Sequence, residues 1–185
     1  MKSLVLASGL ALVAATGAVA QTLPHSGAYV GTGFEAFGAT NEQRAWGFSI
    51  QGGYVRQYRR LGVRLGASYF ARSQDVYSFA QQGRSFYQRS AVGLNVELTY
   101  DVTTTRFRPY IIGGWGLYRT WGRSFESPYG SRSFDFVSPA MIGGLGFRYR
   151  IKGVELFVEG RIHAMTSSSD QASPFAPVTF GLKFD

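Results

Sequence analysis

The sequence predicts an all-β fold, an eight-stranded antiparallel up-and-down transmembrane β-barrel, on three observations. Apolar and polar residues alternate with period two through most of eight short segments, which gives each of those one oily face if it is extended. The 24 glycines and the 15 Phe, 11 Tyr and 3 Trp are spread over those segments, with turn residues between them. The polar faces are crowded with Gly, Ser and charges of both signs, a choice that suits a narrow interior better than a strand facing water.

The chain starts MKSLVLASGLALVAATGAVA. Lys2, the apolar run from Leu4 to Ala15 and the small residues Ala18, Val19 and Ala20 form the pattern of a cleaved secretory signal. The expected organisation is a signal peptide over 1–20, a short leader over 21–26 and a single barrel domain over 27–185. Cysteine is absent, which excludes disulfides, thiol catalysis and Cys-based metal sites. Beyond the signal no apolar run reaches the roughly 18 residues of a spanning helix. The formal net charge is +8, which admits an anionic partner, and export argues against nucleic acid.

The first segment is GAYVGTGFEAFG, from Gly27. In the second, AWGFSIQGGYV, Trp46, Phe48, Ile50 and Tyr54 oppose Gly47, Ser49, Gln51 and Gly53. The third sets Leu61, Val63, Leu65, Ala67 and Tyr69 against Gly62, Arg64, Gly66 and Ser68, and the fourth Val92, Leu94, Val96, Leu98 and Tyr100 against Gly93, Asn95, Glu97 and Thr99. The fifth, PYIIGGWGLYRTW from Pro109, is apolar on both sides, so its parity leaves the inward face open. The sixth opposes Met141, Leu145, Phe147, Tyr149 and Ile151 to Ala140, Ile142, Gly144, Gly146, Arg148 and Arg150. In the seventh, ELFVEGRIHAM, Leu156, Val158, Gly160, Ile162 and Ala164 oppose Glu155, Phe157, Glu159, Arg161 and His163. The eighth sets Val178, Phe180, Leu182 and Phe184 against Thr179, Gly181 and Lys183. A two-residue turn at Lys152 and Gly153 pairs Ile151 with Val154 and Arg150 with Glu155, matching oily with oily and charge with opposite charge.

The aliphatic and aromatic faces read as a lipid-facing band with aromatic girdles. Links near 56–60, 103–107 and 152–153 are short, while those near 38–44, 72–90, 122–137 and 165–176 are mostly longer. Short turns on one side and long loops on the other are the arrangement of an outer-membrane barrel.

RPYIIGGWGLY at 108–118, LFVEGRIHAM at 156–165 and the closing APVTFGLKF at 176–184 resemble the outer-membrane β-barrel family whose small members share the eight-stranded membrane domain of outer membrane protein A. The resemblance implies an outer-membrane location and a C-terminal strand, with Phe180 and Phe184, that is read by the barrel assembly machinery. Phe184 is followed by Asp185, one residue beyond that pattern. The motifs specify architecture and destination, and no activity.

The expected lumen charges are Glu35, Glu97, Glu155 and Glu159 against Arg64, Arg148, Arg150, Arg161 and Lys183. Facing lipid, a cationic side chain at the midplane would cost about 2–4 kcal/mol, so these belong inside. Arg64 is expected to meet Glu97, Arg150 to meet Glu155, and Lys183 to meet Glu159 or Glu35. A charge-paired plug is favoured over a catalytic site and over a narrow solute channel, because eight strands leave just enough lumen for side chains.

The resemblance also brings in barrels that modify lipid A, one deacylase family of which uses a His and a Ser two residues later on the barrel wall. Here that second position is Met165, while Ser167, Ser168 and Ser169 fall in a loop. Acyl transfer needs base and nucleophile within hydrogen-bond reach, so no enzyme is expected. GTGFEA at 31–36 and GGLG at 143–146 lack the helix that a nucleotide-binding glycine pattern opens. His25 in the leader and His163 have no ligand-spaced carboxylates, and no metal or other cofactor is expected. Arg72, Arg84, Arg89, Arg119, Arg123 and Arg132 lie in or beside the expected outer loops. They are either solvated loop charges or contacts for lipopolysaccharide phosphates, which suit the guanidinium fork. The expected partners are outer-membrane lipids, lipopolysaccharide and the assembly machinery, for a chain read as a monomer.

Overall fold

A computed structural model describes residues 25–40, 43–78, 83–126, 130–166 and 174–184. The signal, its cleavage site and most of the leader lie outside them. Eight strands follow in chain order: β1 His25–Thr40, β2 Gln43–Tyr58, β3 Leu61–Ser78, β4 Gly83–Asp101, β5 Phe107–Glu126, β6 Gly130–Ile151, β7 Val154–Met165 and β8 Val178–Phe184. Each pairs with the next antiparallel, and β1 pairs with β8 to close the barrel. Closure over Ala28–Phe34 of β1 and Val178–Phe184 of β8 pairs the ring's last edges, the condition for backbone to sit in hydrocarbon. Among the described residues no helix is long and apolar enough to cross a membrane.

The β6–β7 hairpin has the expected register, Ile151 opposite Val154 and Arg150 opposite Glu155. Its turn residues Lys152 and Gly153 have φ of 40° and 86°, the paired positive values of a type I′ turn, whose twist matches that of the strands. At the same end of the barrel Tyr58 faces Leu61 and Arg59 takes φ 54°.

Through the apolar band, parity holds on every strand. Leu94, Trp115 and Leu145 point away from the lumen, whereas Glu97, Arg148 and Glu159 are buried in it. The open question of β5 resolves in favour of Tyr110, Ile112 and Tyr118 inside, with Ile111, Trp115 and Leu117 outside. The reason is volume. The lumen glycines leave room for inward aromatic rings: a Cβ on Gly93 or Gly116 would overlap the Tyr118 ring, one on Gly66 the Tyr29 hydroxyl, and one on Gly181 the Phe157 ring.

From Phe107 to Leu117 the outward residues of β5 rise about 25 Å at roughly 3.3 Å per residue and a tilt of roughly 40°, the height of an outer-membrane hydrocarbon band. Aromatic rings mark both edges. Phe107 stacks on Phe147 at 5.3 Å near the tight turns, and at the other end Tyr69 lies 5.8 Å from Phe48 and 6.5 Å from Trp121.

Two expectations change. The links near 38–44, 72–90 and 122–137 are largely strand, since β3 to β6 run 18, 19, 20 and 22 residues where about 10 cross a bilayer. The surplus carries the sheet beyond the apolar band at the end opposite the tight turns, here called the outer end. His25, placed in the leader by the sequence, begins β1.

Gly93→Ala should therefore lower stability by about 1–3 kcal/mol through overpacking against Tyr118. Gly113→Ala should not, because a Cβ there meets nothing within 4 Å. Urea titration in vesicles, followed by heat-modifiable gel mobility, should show an earlier midpoint for the first variant alone.

Candidate functional site

The middle of the lumen is organised around one carboxylate. Glu159 of β7 accepts hydrogen bonds from Gln51 Nε2 at 2.6 Å, Arg64 Nη1 at 2.9 Å and Tyr110 Oη at 2.6 Å, and from Arg161 Nη2. Arg161 also donates to Glu97 at 2.7 Å, and Asn95 reaches the same carboxylate at 2.5 Å. Arg64 lies 3.9 Å from Glu97, the expected partner, but is held more closely by Glu159. Two guanidiniums and two carboxylates thus meet with no net charge, all four buried. The Arg64 guanidinium also lies within 5.2–5.6 Å of the Tyr29, Tyr110 and Phe157 ring centres, where ring faces add attraction.

Nearer the tight turns is a second group of ion pairs. Arg148 lies 3.0 Å from Asp101 and 3.4 Å from Glu155, and donates to Gln57 at 3.1 Å. Arg108 binds Glu155 and lies 3.5 Å from Asp101. Arg148 and Arg108 are register partners, and the two carboxylates between them relieve their repulsion. Sequence reading missed Asp101 and Arg108, because both sit where a strand meets a turn; their even spacing from Glu97 and Tyr110 was the available signal. Arg150 and Lys183 flank Glu155 in register on β6 and β8, and Lys183 is buried.

The outer third of the lumen is aromatic. After β7 the chain returns so that Phe175 forms a β-bridge with His163, with backbone hydrogen bonds of 2.8 and 3.2 Å. The Phe175 ring is 0% exposed, stacked on Phe70 at 4.9 Å and covered by the Arg89 guanidinium at 4.4 Å. Arg72 donates to the Pro174 carbonyl at 3.2 Å and lies 3.4 Å from Glu35, which also accepts the Ala176 amide at 2.9 Å. Side chains of β1, β3 and β4 therefore hold this segment across the mouth.

His163 lies beneath it, 0% exposed, with Nδ1 3.0 Å from the Tyr118 hydroxyl and its ring 4.8 Å from Phe70. Met165, at the position where the deacylase pattern has serine, places Sδ 3.1 Å from Arg89 Nη2. Ser167, Ser168 and Ser169 lie outside the described residues. Among the described residues no group of His, Asp and Glu is arranged to hold a metal.

The six arginines expected at the outer loops separate. Arg89 is buried and Arg72 half-buried, both turned into the mouth, which corrects their expected place among the loop contacts: the strands extend past them, and even spacing carries them inward. The side chain of Arg84 lies outside the described ones. Arg119, Arg123 and Arg132 are exposed. Arg119 grips Asp135 with two hydrogen bonds, of 3.1 and 2.7 Å, and this donation holds the Asp135 carboxyl below its ordinary range. Phe180 and Phe184 face outward on β8.

Glu159→Gln removes one charge from a balanced buried group and should lower stability by about 3–5 kcal/mol. In Glu159→Gln with Arg64→Gln, charge balance returns, so the double variant should lose clearly less than the sum of the two single losses. Urea midpoints of the four proteins in vesicles measure the coupling; strict additivity would show that the pair does not act together.

No curated protein sequence matches the chain. Among solved structures, Neisserial surface protein A is similar with a TM-score of 0.58 and 14% identity, over 88% of this chain and 99% of that one. Ail, the attachment invasion locus protein of Yersinia pestis, solved with the heparin analogue sucrose octasulfate, gives 0.47 and 11% over 88% and 99%. The N-terminal β-barrel domain of Pseudomonas aeruginosa OprF gives 0.46 and 12% over 86% and 97%. These likenesses concern the fold. Residues 5–181 match the family described as the outer membrane protein beta-barrel domain, and the chain, an outer-membrane barrel, belongs to that family.

Proposed function

We propose that this protein has a structural or interaction role at the cell envelope, carried by its lipid-facing wall and its outer rim, with cationic side chains there contacting lipopolysaccharide or other external ligands. The observation that carries the reading is the filled lumen. A charge-balanced group occupies its middle third, a second set of buried ion pairs lies below it, and Phe175 lies across the mouth against Phe70 and Arg89. With the interior occupied by its own side chains, the outward and rim surfaces are where partners can bind.

Neither rival reading has comparable support. A narrow channel would need a water path past Glu159 and its four donors, and buried ion pairs of this kind resist opening. A lipid A hydrolase would need its base reachable from the membrane, whereas His163 is enclosed by Phe70, Tyr118 and Phe175. Phe180 and Phe184, outward on the last strand, suit the assembly signal that the C-terminal pattern implies.

In planar bilayers the protein should show no steady conductance. Phe175→Ala should not create one, because the ion groups beneath it remain; a steady open channel in the parent protein would overturn the reading. Mass spectrometry of lipid A from cells with and without the protein should give the same species, and a change in acyl number would establish the enzyme instead.

A further inference from the structure

The outward faces of β4, β5 and β6 form a groove of about 690 Å3 that the lumen chemistry does not involve. Val92 and Arg119, register partners, form its end nearest the lipid band, Ser90, Trp121 and Asp135 lie one level further out, and Arg123 stands beyond them. On β5 the outward sequence passes from Trp115 and Leu117 to Arg119, Trp121 and Arg123, and Arg119 comes where the hydrocarbon height of about 25 Å ends. Cations at that level meet headgroups rather than acyl chains, and the neighbouring indole suits an interfacial position.

The charges point to one kind of occupant. Asp135 takes two donors of Arg119, Nε and Nη2, and the other edge of that guanidinium has no partner among the described residues. Among the described residues no carboxylate pairs with Arg123, which is exposed two outward positions further along the same strand. Two guanidiniums and one carboxylate leave a net positive groove continuous with an apolar wall. A free anion would need only the charges; the continuity with Val92 and the lipid band calls for a ligand with a phosphate above acyl chains.

We infer that the outward groove between β4 and β6 is a binding site for the phosphate headgroup of an outer-leaflet lipid, held by Arg119 and Arg123 with the acyl chains against the lipid band. The site deepens the proposed interaction role and rests on it. Asp135 orients Arg119 and at the same time weakens the site for anions, which gives it a testable sign.

Native mass spectrometry of the purified barrel with diphosphorylated lipid A, and with its dephosphorylated form, measures the phosphate preference. The parent protein should prefer the phosphorylated lipid on the order of tenfold. Arg119→Gln with Arg123→Gln should abolish that preference, and Asp135→Asn should enlarge it; opposite shifts from neighbouring surface substitutions cannot both arise from misfolding. A preference that survives the double variant overturns the site. If it survives there but disappears in Arg132→Gln, the rim holds the lipid and the broader interaction reading stands. If the parent shows no phosphate preference, the site and the lipopolysaccharide contact fall together.

Discussion

The Glu159 carboxylate sets the terms for the interior of this barrel. It is buried among four donors from β2, β3, β5 and β7, so its charge is satisfied only when strands from around the ring are closed and in register. A slip of one residue would send Glu159 to the lipid side and bring Val158 or Gly160 inward. In the hydrocarbon that carboxylate would have no partners. The alternation that makes the wall oily is thus the same alternation that collects the charges, and the two requirements fix the register together.

Balance alone would not fill the space. The lumen also contains Tyr29, Tyr110, Tyr118, Phe157 and Phe70, bulky side chains that fit because glycines lie beside them. Arg64 and Arg148 lie over these rings, Arg148 at 4.1 Å from the centre of Tyr110. Aromatics and guanidiniums pack as layers: ion groups below and in the middle, rings and His163 above. The layering explains why glycine is frequent on the inward face without invoking backbone freedom, since what most of those positions supply is absence of a side chain.

The eight strands, their faces and the β6–β7 turn were legible because membrane and lumen impose opposite demands on alternate residues. Where those demands weakened, reading failed for physical reasons. On β5 both parities carry large apolar residues, and only the positions of Gly93 on β4, Gly116 on β5 itself and Gly146 on β6 decide that Tyr110 and Tyr118 go inside. Beyond the apolar band RSQDVYS carries polar residues on both parities, with Val76 on one and Tyr77 on the other, so the period-two contrast is lost and the stretch resembles loop. The rise of the strands past the membrane then moved Arg72 and Arg89 from an expected loop to the lumen mouth. Phe175 was beyond sequence reasoning of any local kind: its bridge to His163 joins positions separated by a connection, and its burial depends on Phe70 and Arg89 from two other strands.

This division of the arginines has a consequence for where specificity can reside. An inward guanidinium at the mouth, such as Arg89 over Phe175, is committed to holding the chain's own segment in place and is shielded from large partners. An outward one, such as Arg123, has no such commitment among the described residues, and the headgroup region is less polar than bulk water, so its attraction for an anion is screened less than on a soluble surface. Equal residues on adjacent positions of one sheet therefore serve different ends according to parity. Strand parity, which began as the evidence for the fold, also separates Arg72 and Arg89, which close the barrel, from Arg119 and Arg123, which face its surroundings.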